Sequence, residues 1–480
     1  MQWHVVIGLE VHAQLTTQSK LFSTSGTVYG AGPNVQANIV DCALPGTLPV
    51  LNQAAIKQAI RFGLATESTI QNRISFDRKN YYYPDLPKGY QITQHYHPIL
   101  TGGHVDIETD QGHKRINIHH SHLEEDAGKS THDYSKTATG IDLNRAGMPL
   151  LEIVSEPEMR SPKEAVAYIK ALHRLIVFYD ICDGNMQEGS MRVDVNISLR
   201  RHEDAPFGTK VEIKNINSFK FVEKALHYEI QRQAEILEDG QEVTQETRLF
   251  DEAKGVTHFM RGKEDAHDYR YHKDPDIPYI DISESDIEKI RQEMPESPKA
   301  IEKRYIEKYK LSSYDARVIS QDKAFSGLFD SVIQQDACLP KTLANWILGP
   351  IAESENKTDQ AFSETPIHPK QLSELLQLLD QEKISNNNAK LIFEKMWTSG
   401  DSATSIIQTE GLEEISDTAQ ITTIVDDVLA NNTKQVQQYR DGNHKLLGFF
   451  VGQVMKKSQG KINPKIANKI LLERLNQDTD

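Results

Sequence analysis

The chain has 480 residues, of which 38% are hydrophobic and 26% charged, and these proportions are typical of a globular protein with two or three domains. Its net charge of -15 argues against a protein that coats nucleic acid along its whole surface, although it allows a local basic patch. Three cysteines are too few for a disulfide framework, and no apolar run is long enough to cross a membrane, so we expect a cytoplasmic protein.

A polar face runs along two stretches that alternate like β-strands, residues 2–15 and 192–200. Successive side chains on a strand point to opposite sides, so each stretch predicts a strand with one apolar face and one polar face. The polar positions are Glu10 and His12 in the first stretch and Arg192, Asp194 and Asn196 in the second. We interpret this face as a binding surface for metal and phosphate; the alternative is a solvated face of an antiparallel sheet.

Three consecutive tyrosines occupy residues 81–83, and Arg78, Lys79 and Lys88 flank them. Aromatic rings can stack on a nucleobase while neighbouring cations contact phosphate. An aromatic cluster can equally belong to a core, so the residues alone leave both interpretations open.

Acidic side chains recur in the next predicted strands. Glu124, Glu125 and Asp126 follow one another, so a strand would place at most two of them on the same face. Glu152 lies inside an apolar run, where an unpaired carboxylate is costly to bury, so we expect a cation or a basic partner beside it. Arg145 lies on the approach to this run.

Helical signals follow. Ser161 is a good N-cap, Pro162 suits the first turn, and Glu164 completes a capping box, so a helix is predicted from this point. Further helices are predicted over residues 53–66, 219–237, 369–381 and 387–397. We interpret the polar stretch 353–366 as a mobile connection between helices.

The C-terminal segment differs in charge from the rest of the chain. Residues 431–480 hold nine Lys or Arg against four Asp or Glu, a balance of +5, which leaves -20 for the other residues. We interpret it as two amphipathic helices, separated at residues 460–464, whose basic side chains contact RNA phosphates. A solvated basic helix is the alternative. The candidate RNA contacts are Lys456, Lys457, Lys461, Lys465 and Lys469.

Several long motifs occur in order: IGLEVHAQL, DRKNYYYPDLPKGYQIT, HLEEDAGK, DLNRAGMPLLEIVSEPEMRS, CDGNMQEGSMRVDVNIS, EIKNINSF and LLGFFVGQVMK. Together they resemble the B subunits of the aspartyl/glutamyl-tRNA amidotransferases over essentially the whole chain. In that family the B subunit joins an amidase, which is the A subunit, and a small C subunit. The complex uses ATP and glutamine to convert misacylated glutamyl-tRNA(Gln), and often aspartyl-tRNA(Asn), to the correct amide.

The resemblance implies an α+β fold in three parts. Residues 1–294 would form a catalytic cradle with a largely antiparallel, glutamine synthetase-like sheet. Residues 295–404 would form an all-α helical domain, and residues 405–480 an α-helical tail that binds tRNA.

The resemblance also implies a site. A carboxylate is a poor electrophile towards ammonia, so it must first become an acyl phosphate, and phosphoryl transfer usually needs Mg²⁺. The catalytic candidates are Glu10, Glu125 and Asp194. The metal candidates are Glu10, His12, Glu125, Glu152 and Asp194. The ATP candidates are Lys79, Tyr81 and Arg192, and Arg145 is a candidate tRNA contact. Mg²⁺ prefers oxygen ligands, so His12 suits it least.

A zinc site that many members of that family carry is not expected in this chain. Its C-x-C and C-x-x-C positions hold Ser23, Ser25, Asn38 and Asp41, and Cys42 lies one residue away. Zinc needs about four well-placed N or S ligands, so we expect packing within the early loop to hold it instead.

Two other functions fit parts of the pattern. A non-catalytic tRNA adaptor would only present the acceptor end, but it has no need for inward carboxylates that repel phosphate. A metal-dependent nuclease also groups acidic residues, although the three tyrosines and the Arg- and Asn-rich motifs fit it less well. No cysteine stands beside a candidate base and no Ser-Ser-Lys amidase stretch is recognisable, so we expect no glutaminase activity from the isolated chain.

Overall fold

The computed structural model describes residues 3–110, 112–132, 137–262, 266–410, 418–458, 462 and 464–476. The chain divides into two compact units, Met1–Pro295 and Glu296–Asp480. The first unit combines a large sheet with helices, and the second is helical, which confirms the predicted α+β fold class. Within the described ranges, no helix has both the length and the apolar character needed to cross a membrane.

Strands of very different length build the first unit. They are β1 (His4–Gln14), β2 (Thr69–Ile70), β3 (Arg73–Ile74), β4 (Asp77–Asn80), β5 (Tyr90–Thr93), β6 (Leu100–Thr101), β7 (His104–Thr109), β8 (Gly112–Glu125), β9 (Lys129–Thr131), β10 (Gly140–Asp142), β11 (Pro149–Ser155), β12 (Met191–Arg200), β13 (Val211–Ile216), β14 (Glu246–Asp251), β15 (Val256–Gly262), β16 (His272–Lys273) and β17 (Ile280–Asp281). The helices of this unit are α1 (Gln53–Ala65), α2 (Pro162–Phe178), α3 (Phe219–Glu238) and α4 (Glu284–Glu293), with a 3-10 turn at Ala266–Tyr269.

The main sheet is largely antiparallel. Its strand order is β15–β14–β13–β12–β1–β11–β8–β6–β2, with β7 paired to β8, and β13 and β14 run parallel. The apolar positions of β12, namely Val193, Val195 and Ile197, are buried, and helices α2 and α3 pack against this sheet. The alternation in the sequence therefore leaves the opposite, polar face of the sheet open.

Local signals fix the helix starts. Ser161 Oγ accepts the backbone N–H of Glu164 at 3.2 Å and caps α2, as predicted. The Glu164 carboxylate accepts the N–H of Arg160 at 2.9 Å, so the return half of the capping box reaches one residue further back than expected. The predicted helices over 53–66 and 219–237 are confirmed as α1 and α3.

The second unit is built from helices. They are α5 (Pro298–Tyr309), α6 (Ser313–Ser320), α7 (Lys323–Ile333), α8 (Pro340–Trp346), α9 (Ala352–Thr358), α10 (Pro369–Asp380), α11 (Asn386–Ser399), α12 (Ala403–Glu410), α13 (Thr418–Ala430), α14 (Thr433–Arg440), α15 (Leu447–Lys457) and α16 (Pro464–Leu475). A π-helical turn at Ile347–Ile351 joins α8 to α9.

The interpretation of residues 353–366 as a mobile connection is wrong. Most of its first half lies in α9, which continues the apolar helix before it, and a 3-10 turn covers Phe362–Glu364. Lys357 pairs with Glu353 across one helical turn at 2.8 Å, so the charged composition that resembled a linker supports the helix instead.

Two groups of helices can be distinguished within the second unit. Helices α13, α15 and α16 share an apolar core that includes Ile421, Val425, Phe450 and Leu471. Helix α12 packs on α10 and α11 instead. We therefore propose that a boundary between a helical domain and a tail lies between α12 and α13, rather than after residue 404.

Candidate functional site

Strand register brings the predicted polar side chains together on the open face of the main sheet. Glu10 of β1 lies opposite Asp194 of β12. His12, two residues further on, lies opposite Arg192 of β12 and opposite Glu152 of β11. Five of the residues singled out from the sequence therefore share one face at the centre of the sheet.

A first acidic group surrounds His12. Its Nδ1 atom lies 3.2 Å from Glu124 Oε1 and 3.9 Å from Glu152 Oε2. His122 joins from β8, with Nε2 3.4 Å from Glu152 Oε2 and 3.8 Å from Glu124 Oε2. His12, Glu124 and Glu152 can each offer one ligand atom within 4.8 Å of the other two, which is a spacing that can hold a metal ion.

A second acidic group adjoins the first. Glu10, Asp194 and Glu212 offer carboxylate oxygens within 4.8 Å of one another. Lys214 Nζ lies 2.6 Å from Asp194 Oδ2 and 2.9 Å from Glu212 Oε1. His12 Nε2 lies 3.7 Å from Asp194 Oδ2, so this imidazole contacts both groups.

The electrostatics show how strongly this face attracts positive charge. Burial opposes the imidazolium forms of His12 and His122, yet the neighbouring carboxylates outweigh it: the pKa of His12 is well above its usual value, and that of His122 rises to about 9. For Asp194, burial is outweighed by His12 and Lys214, and its pKa falls to about 2. Burial and the charge of Glu152 raise the pKa of Glu10.

The donor set fits a divalent cation such as Mg²⁺. The second group is made of carboxylates alone, and Mg²⁺ prefers oxygen ligands. Among the described residues, His122 Nδ1, Arg192 Nε and Asn196 Oδ1 are buried on or beside this face without a hydrogen-bond partner. Buried polar atoms are normally satisfied, so these atoms suit contacts to a bound group.

Glu125 does not join the acidic groups, although it was a candidate. It lies next to Glu124 on β8, and its carboxylate accepts the backbone N–H of Ile92 at 2.9 Å and contacts Lys88 Nζ. The cause is a register shift: Ile118 pairs with Ser155, but His120 pairs with Val154, so His119 is an extra residue in β8. This bulge reverses which alternate positions face the site, and Glu124 takes the place predicted for Glu125.

Anionic and cationic side chains line the same cavity of about 310 Å³. Its acidic lining comes from Glu10, Glu152, Asp194, Glu212 and Glu246, and its basic lining from Lys79, Lys210, Lys214 and Arg261. Lys210, Glu212 and Lys214 were not among the residues predicted for the site. These three residues alternate along KVEIK, beside a strand already assigned to the site, and that alternation was the available signal.

Lys79 and Tyr81 lie at a neighbouring cavity. Lys79 lines both the acidic cavity and an adjacent one of about 400 Å³, which residues 81–83 and 268–270 line with Asn80 and Arg261. Its Nζ atom lies 4.7 Å from the centroid of the Tyr269 ring. Tyr81 is half-buried, its hydroxyl donates to Gln91 Oε1 at 3.4 Å, and burial raises its pKa.

Arg192 and Arg145 both contact the carboxylate of Asp126. Arg192 Nη2 donates to Asp126 Oδ2 at 2.6 Å, and Arg145 Nε lies 3.6 Å from the same oxygen. Arg145 also donates to the carbonyls of Ala127 and Gly128 at 3.0 and 2.6 Å. Both guanidinium groups therefore brace the segment after β8 rather than line the acidic cavity.

The tail lysines lie in α15 and α16. Lys456, Lys465 and Lys469 are exposed, whereas Lys457 contacts Asp427, and Lys465 Nζ lies 3.4 Å from Glu382 Oε1. Lys461 lies outside the described residues.

Hydrogen bonds link the four residues that stand at the zinc positions of the family. Asp41 accepts the hydroxyls of Ser23 and Ser25 at 2.8 and 2.6 Å and the N–H of Asn38 at 2.9 Å. Lys20 Nζ, which is fully buried, lies 3.3 Å from Asp41 Oδ2. Oxygen atoms and one ammonium group therefore hold this part of the loop.

The comparisons with known proteins agree along the whole chain. The model of the GatB/GatE catalytic domain matches residues 5–288, and the model of the GatB domain matches residues 327–475. The B subunit of the aspartyl/glutamyl-tRNA(Asn/Gln) amidotransferase from Nitrosococcus oceani is 52% identical over 476 residues, which span 99% of this chain and 100% of the relative. Proteins of the same name from Hydrogenovibrio crunogenus and Coxiella burnetii are 52% and 50% identical, again over 99% of this chain and 100% of each relative. The chain therefore belongs to the GatB family of amidotransferase B subunits.

Proposed function

We propose that this chain is the carboxylate-activating subunit of a glutamine- and ATP-dependent tRNA amidotransferase, a carbon–nitrogen ligase. Its substrates would be glutamyl-tRNA(Gln), aspartyl-tRNA(Asn) or both, and its products the corresponding amides. The observation that carries the proposal is the acidic cavity, which is lined both by carboxylates that can hold metal and by lysines and an arginine that can hold phosphate. A non-catalytic adaptor has no use for this combination of charges.

The proposed reaction has two steps. An oxygen of the aminoacyl side-chain carboxylate attacks the γ-phosphorus of ATP, and ADP leaves. Ammonia then attacks the carbonyl carbon of the acyl phosphate, phosphate leaves, and the amide nitrogen gives up its excess proton. Fixed positive charges placed where negative charge develops would lower the free-energy barrier of both steps.

Different residues of the chain would bind the triphosphate and the metal ion. Lys79, Lys210 and Arg261 line the cavity and would neutralise the triphosphate. The carboxylates of the acidic groups would hold Mg²⁺, which would offset the repulsion between those carboxylates and the phosphate oxygens. Lys214 already bridges Asp194 and Glu212 and would keep their oxygens aligned.

Ammonia would have to come from a partner. Cys182 is buried, its thiol donates to the Ser190 carbonyl at 3.3 Å, and burial raises its pKa to about 12, so it is no nucleophile for glutamine. We propose that an amidase, the A subunit, releases ammonia from glutamine and that the complex also contains a small C subunit.

The test uses the assembled complex with glutamyl-tRNA(Gln) and γ-labelled ATP, without glutamine or ammonia. Hydroxylamine should trap the activated carboxylate as a hydroxamate, and labelled phosphate should appear in equal amount. There are two controls: uncharged tRNA should give neither product, and charged tRNA without ATP measures the hydroxamate that hydroxylamine forms directly from the aminoacyl ester. Absence of ATP-dependent side-chain hydroxamate with charged tRNA would refute the proposal, and tRNA cleavage on a gel would favour a nuclease.

A further inference from the structure

The pairing of β12 with β13 shifts by one residue between Val193 and Val195. Two steps along β12 match three steps along β13 at this place, so Lys214 and Asn215 both lie opposite Asp194. An arrangement in which two residues oppose one is a β-bulge, which changes the direction of side chains and is frequent beside active sites. This bulge adjoins the second acidic group, which contains Asp194.

Asn215 supplies the backbone conformation of this bulge. Its φ of 65° lies in the left-handed region, which asparagine tolerates better than most residues and which β-branched residues avoid. In the described part of the chain, the other non-glycine residues with positive φ lie outside the strands. A left-handed residue inside a strand is costly, and such conformations persist where the surrounding structure holds them, often at functional sites.

The bulge changes which side chains of β13 face the core. In a regular strand Ile216 would share the open face with Lys214, because positions two apart point the same way. In the structure Ile216 is buried, with 4% exposure, while Lys214 lines the acidic cavity. The left-handed residue between them therefore lets the lysine face the cavity and the isoleucine pack in the core.

The side chain of Asn215 attaches the bulge to the next strand. Parallel pairing of β13 with β14 extends from Glu212 to Lys214. Immediately beyond it, Asn215 Nδ2 donates to the Phe250 carbonyl of β14 at 3.1 Å, so a side-chain hydrogen bond continues the contact where the backbone pairing stops. The bulge is therefore fixed against both neighbouring strands, against β12 by its register and against β14 by this amide.

The residue next to Asn215 holds two carboxylates of the second acidic group. Lys214 Nζ lies 2.6 Å from Asp194 Oδ2 and 2.9 Å from Glu212 Oε1. A lysine side chain loses much conformational entropy when it is ordered. These two short contacts therefore depend on a backbone that already points the side chain towards both carboxylates.

We propose that Asn215 is a positioning residue for the reaction. Its left-handed backbone holds the bulge that points the Lys214 ammonium at Asp194 and Glu212, so Asn215 acts through Lys214 and touches no substrate. Loss of the left-handed conformation would turn either Lys214 or Ile216 away from its present face. Burial of apolar surface stabilises Ile216 in the core, so Lys214 would move. This inference rests on the proposed function, which supplies the reaction in the cavity.

Crystal structures of the full-length variants test the placement of Lys214. Asn215→Val disfavours the left-handed conformation, whereas Asn215→Gly adopts it freely. In the valine variant Lys214 Nζ should lie more than about 4 Å, the limit of an ion pair, from the Asp194 carboxylate. The glycine variant should keep the contact. Asn215→Ala disfavours the conformation less than valine does, and it replaces valine if that variant does not fold.

Activity of the assembled complex tests the consequence. Asn215→Val should lower the kcat of ATP-dependent side-chain hydroxamate formation by about 10- to 100-fold, the usual effect of losing a residue that orients a site, and leave the KM for charged tRNA unchanged. Asn215→Gly should restore most of the rate. The matched control is Asp336→Val, which replaces another short polar residue with positive φ, 49°, in the second unit, and it should leave kcat unchanged.

A double-mutant cycle shows whether Asn215 acts through Lys214. Lys214→Met should itself lower kcat, and adding Asn215→Val to it should have no further effect, because the group that Asn215 positions is already gone. A merely structural role would lower kcat by the same factor in both backgrounds.

Three results would overturn the inference: an unchanged contact between Lys214 and Asp194 in the Asn215→Val structure, a glycine variant as slow as the valine variant, or multiplying effects in the cycle. Failure of the proposed function has a different signature. In that case the unmodified complex forms no ATP-dependent side-chain hydroxamate, and the crystal structures still decide whether Asn215 positions Lys214.

Discussion

Neighbouring carboxylates in this chain have different surroundings. Glu124 contacts His12 and His122 inside the first acidic group, whereas Glu125 contacts Lys88 and the Ile92 N–H. Sequence position separates them by one residue, and strand geometry sends them to opposite faces. Substituting Glu124 should therefore affect the acidic group, whereas substituting Glu125 should affect its contacts with Lys88 and Ile92.

Glu124→Gln should weaken divalent metal binding by at least about tenfold, because even residues that only support metal ligands contribute that much. Glu125→Gln should leave metal affinity nearly unchanged, and Asp194→Asn should weaken it like Glu124→Gln. The measurement is Mn²⁺ titration of the full chain by electron paramagnetic resonance. Equal losses at positions 124 and 125 would contradict the assignment of Glu124 to the metal group.

Cys182 should be inert to alkylation. This residue is 1% exposed, and with its pKa at about 12 only about one molecule in ten thousand would be a thiolate at pH 8. Iodoacetamide at pH 8 should label exposed Cys42 and leave Cys182 unmodified, with both labelled after unfolding in guanidinium. Peptide mass spectrometry identifies which cysteines are alkylated. Glutaminase activity of the purified chain that disappears in Cys182→Ala would overturn our assignment of amide hydrolysis to a partner.

The loop between β1 and α1 illustrates how an element without regular structure is fixed. Lys20 and Asp41 have side chains that are 0% and 2% exposed, so each is buried with the other as its ionic partner. Removing one member of such a pair leaves an uncompensated charge, which costs far more than one exposed salt bridge is worth.

Asp41→Asn should lower the free energy of unfolding by about 3–5 kcal/mol, the usual cost of breaking a buried ion pair. Ser25→Ala removes one hydrogen bond to the Asp41 carboxylate and should cost less, about 1.5–3 kcal/mol. Chemical denaturation measures both. A zinc-selective chelator, added with Mg²⁺ in excess, should leave the melting temperature of the unmodified chain unchanged, and a large drop would mean that zinc holds this loop.

The whole chain combines an acidic body with a basic end. Residues 431–480 carry a balance of +5, and the described helices of this segment belong to a group with its own apolar core, from Ile421 to Leu475. Two of its lysines are already engaged, Lys457 by Asp427 and Lys465 by Glu382, so fewer phosphate contacts are available than the sequence count implies.

Removing residues 411–480 should weaken tRNA binding by the assembled complex and leave the activation chemistry intact. The cut falls after α12, whose Ile406 and Ile407 are buried and would be lost by a cut at residue 405. Removal of each phosphate contact should flatten the slope of log affinity against log salt by about 0.7–0.9. The measurement is a salt series with full-length and truncated complex. Coincident slopes would show that the tail does not bind RNA.

Sequence patterns predicted correctly those features of the fold that depend on a single local rule. Alternation predicted the polar faces of β1 and β12, because side chains on a strand must alternate. Capping residues and helical spacing predicted α2 and α3 closely, because a helix start depends on a few neighbouring groups. Family resemblance predicted the α+β order of the chain.

The tertiary structure was needed wherever the position of a residue depends on distant segments of the chain or on irregular backbone geometry. A single extra residue at His119 reverses the faces of β8 and exchanges Glu125 for Glu124. The apolar positions Ile118 and Leu123 show that the alternation shifts between them, but not at which residue. The charged segment after the π-helical turn forms α9 because it extends a helix that is already packed, which composition does not reveal. Residues 81–83 and 268–270 line one cavity, and only the pairing of β16 with β4 brings these distant segments together.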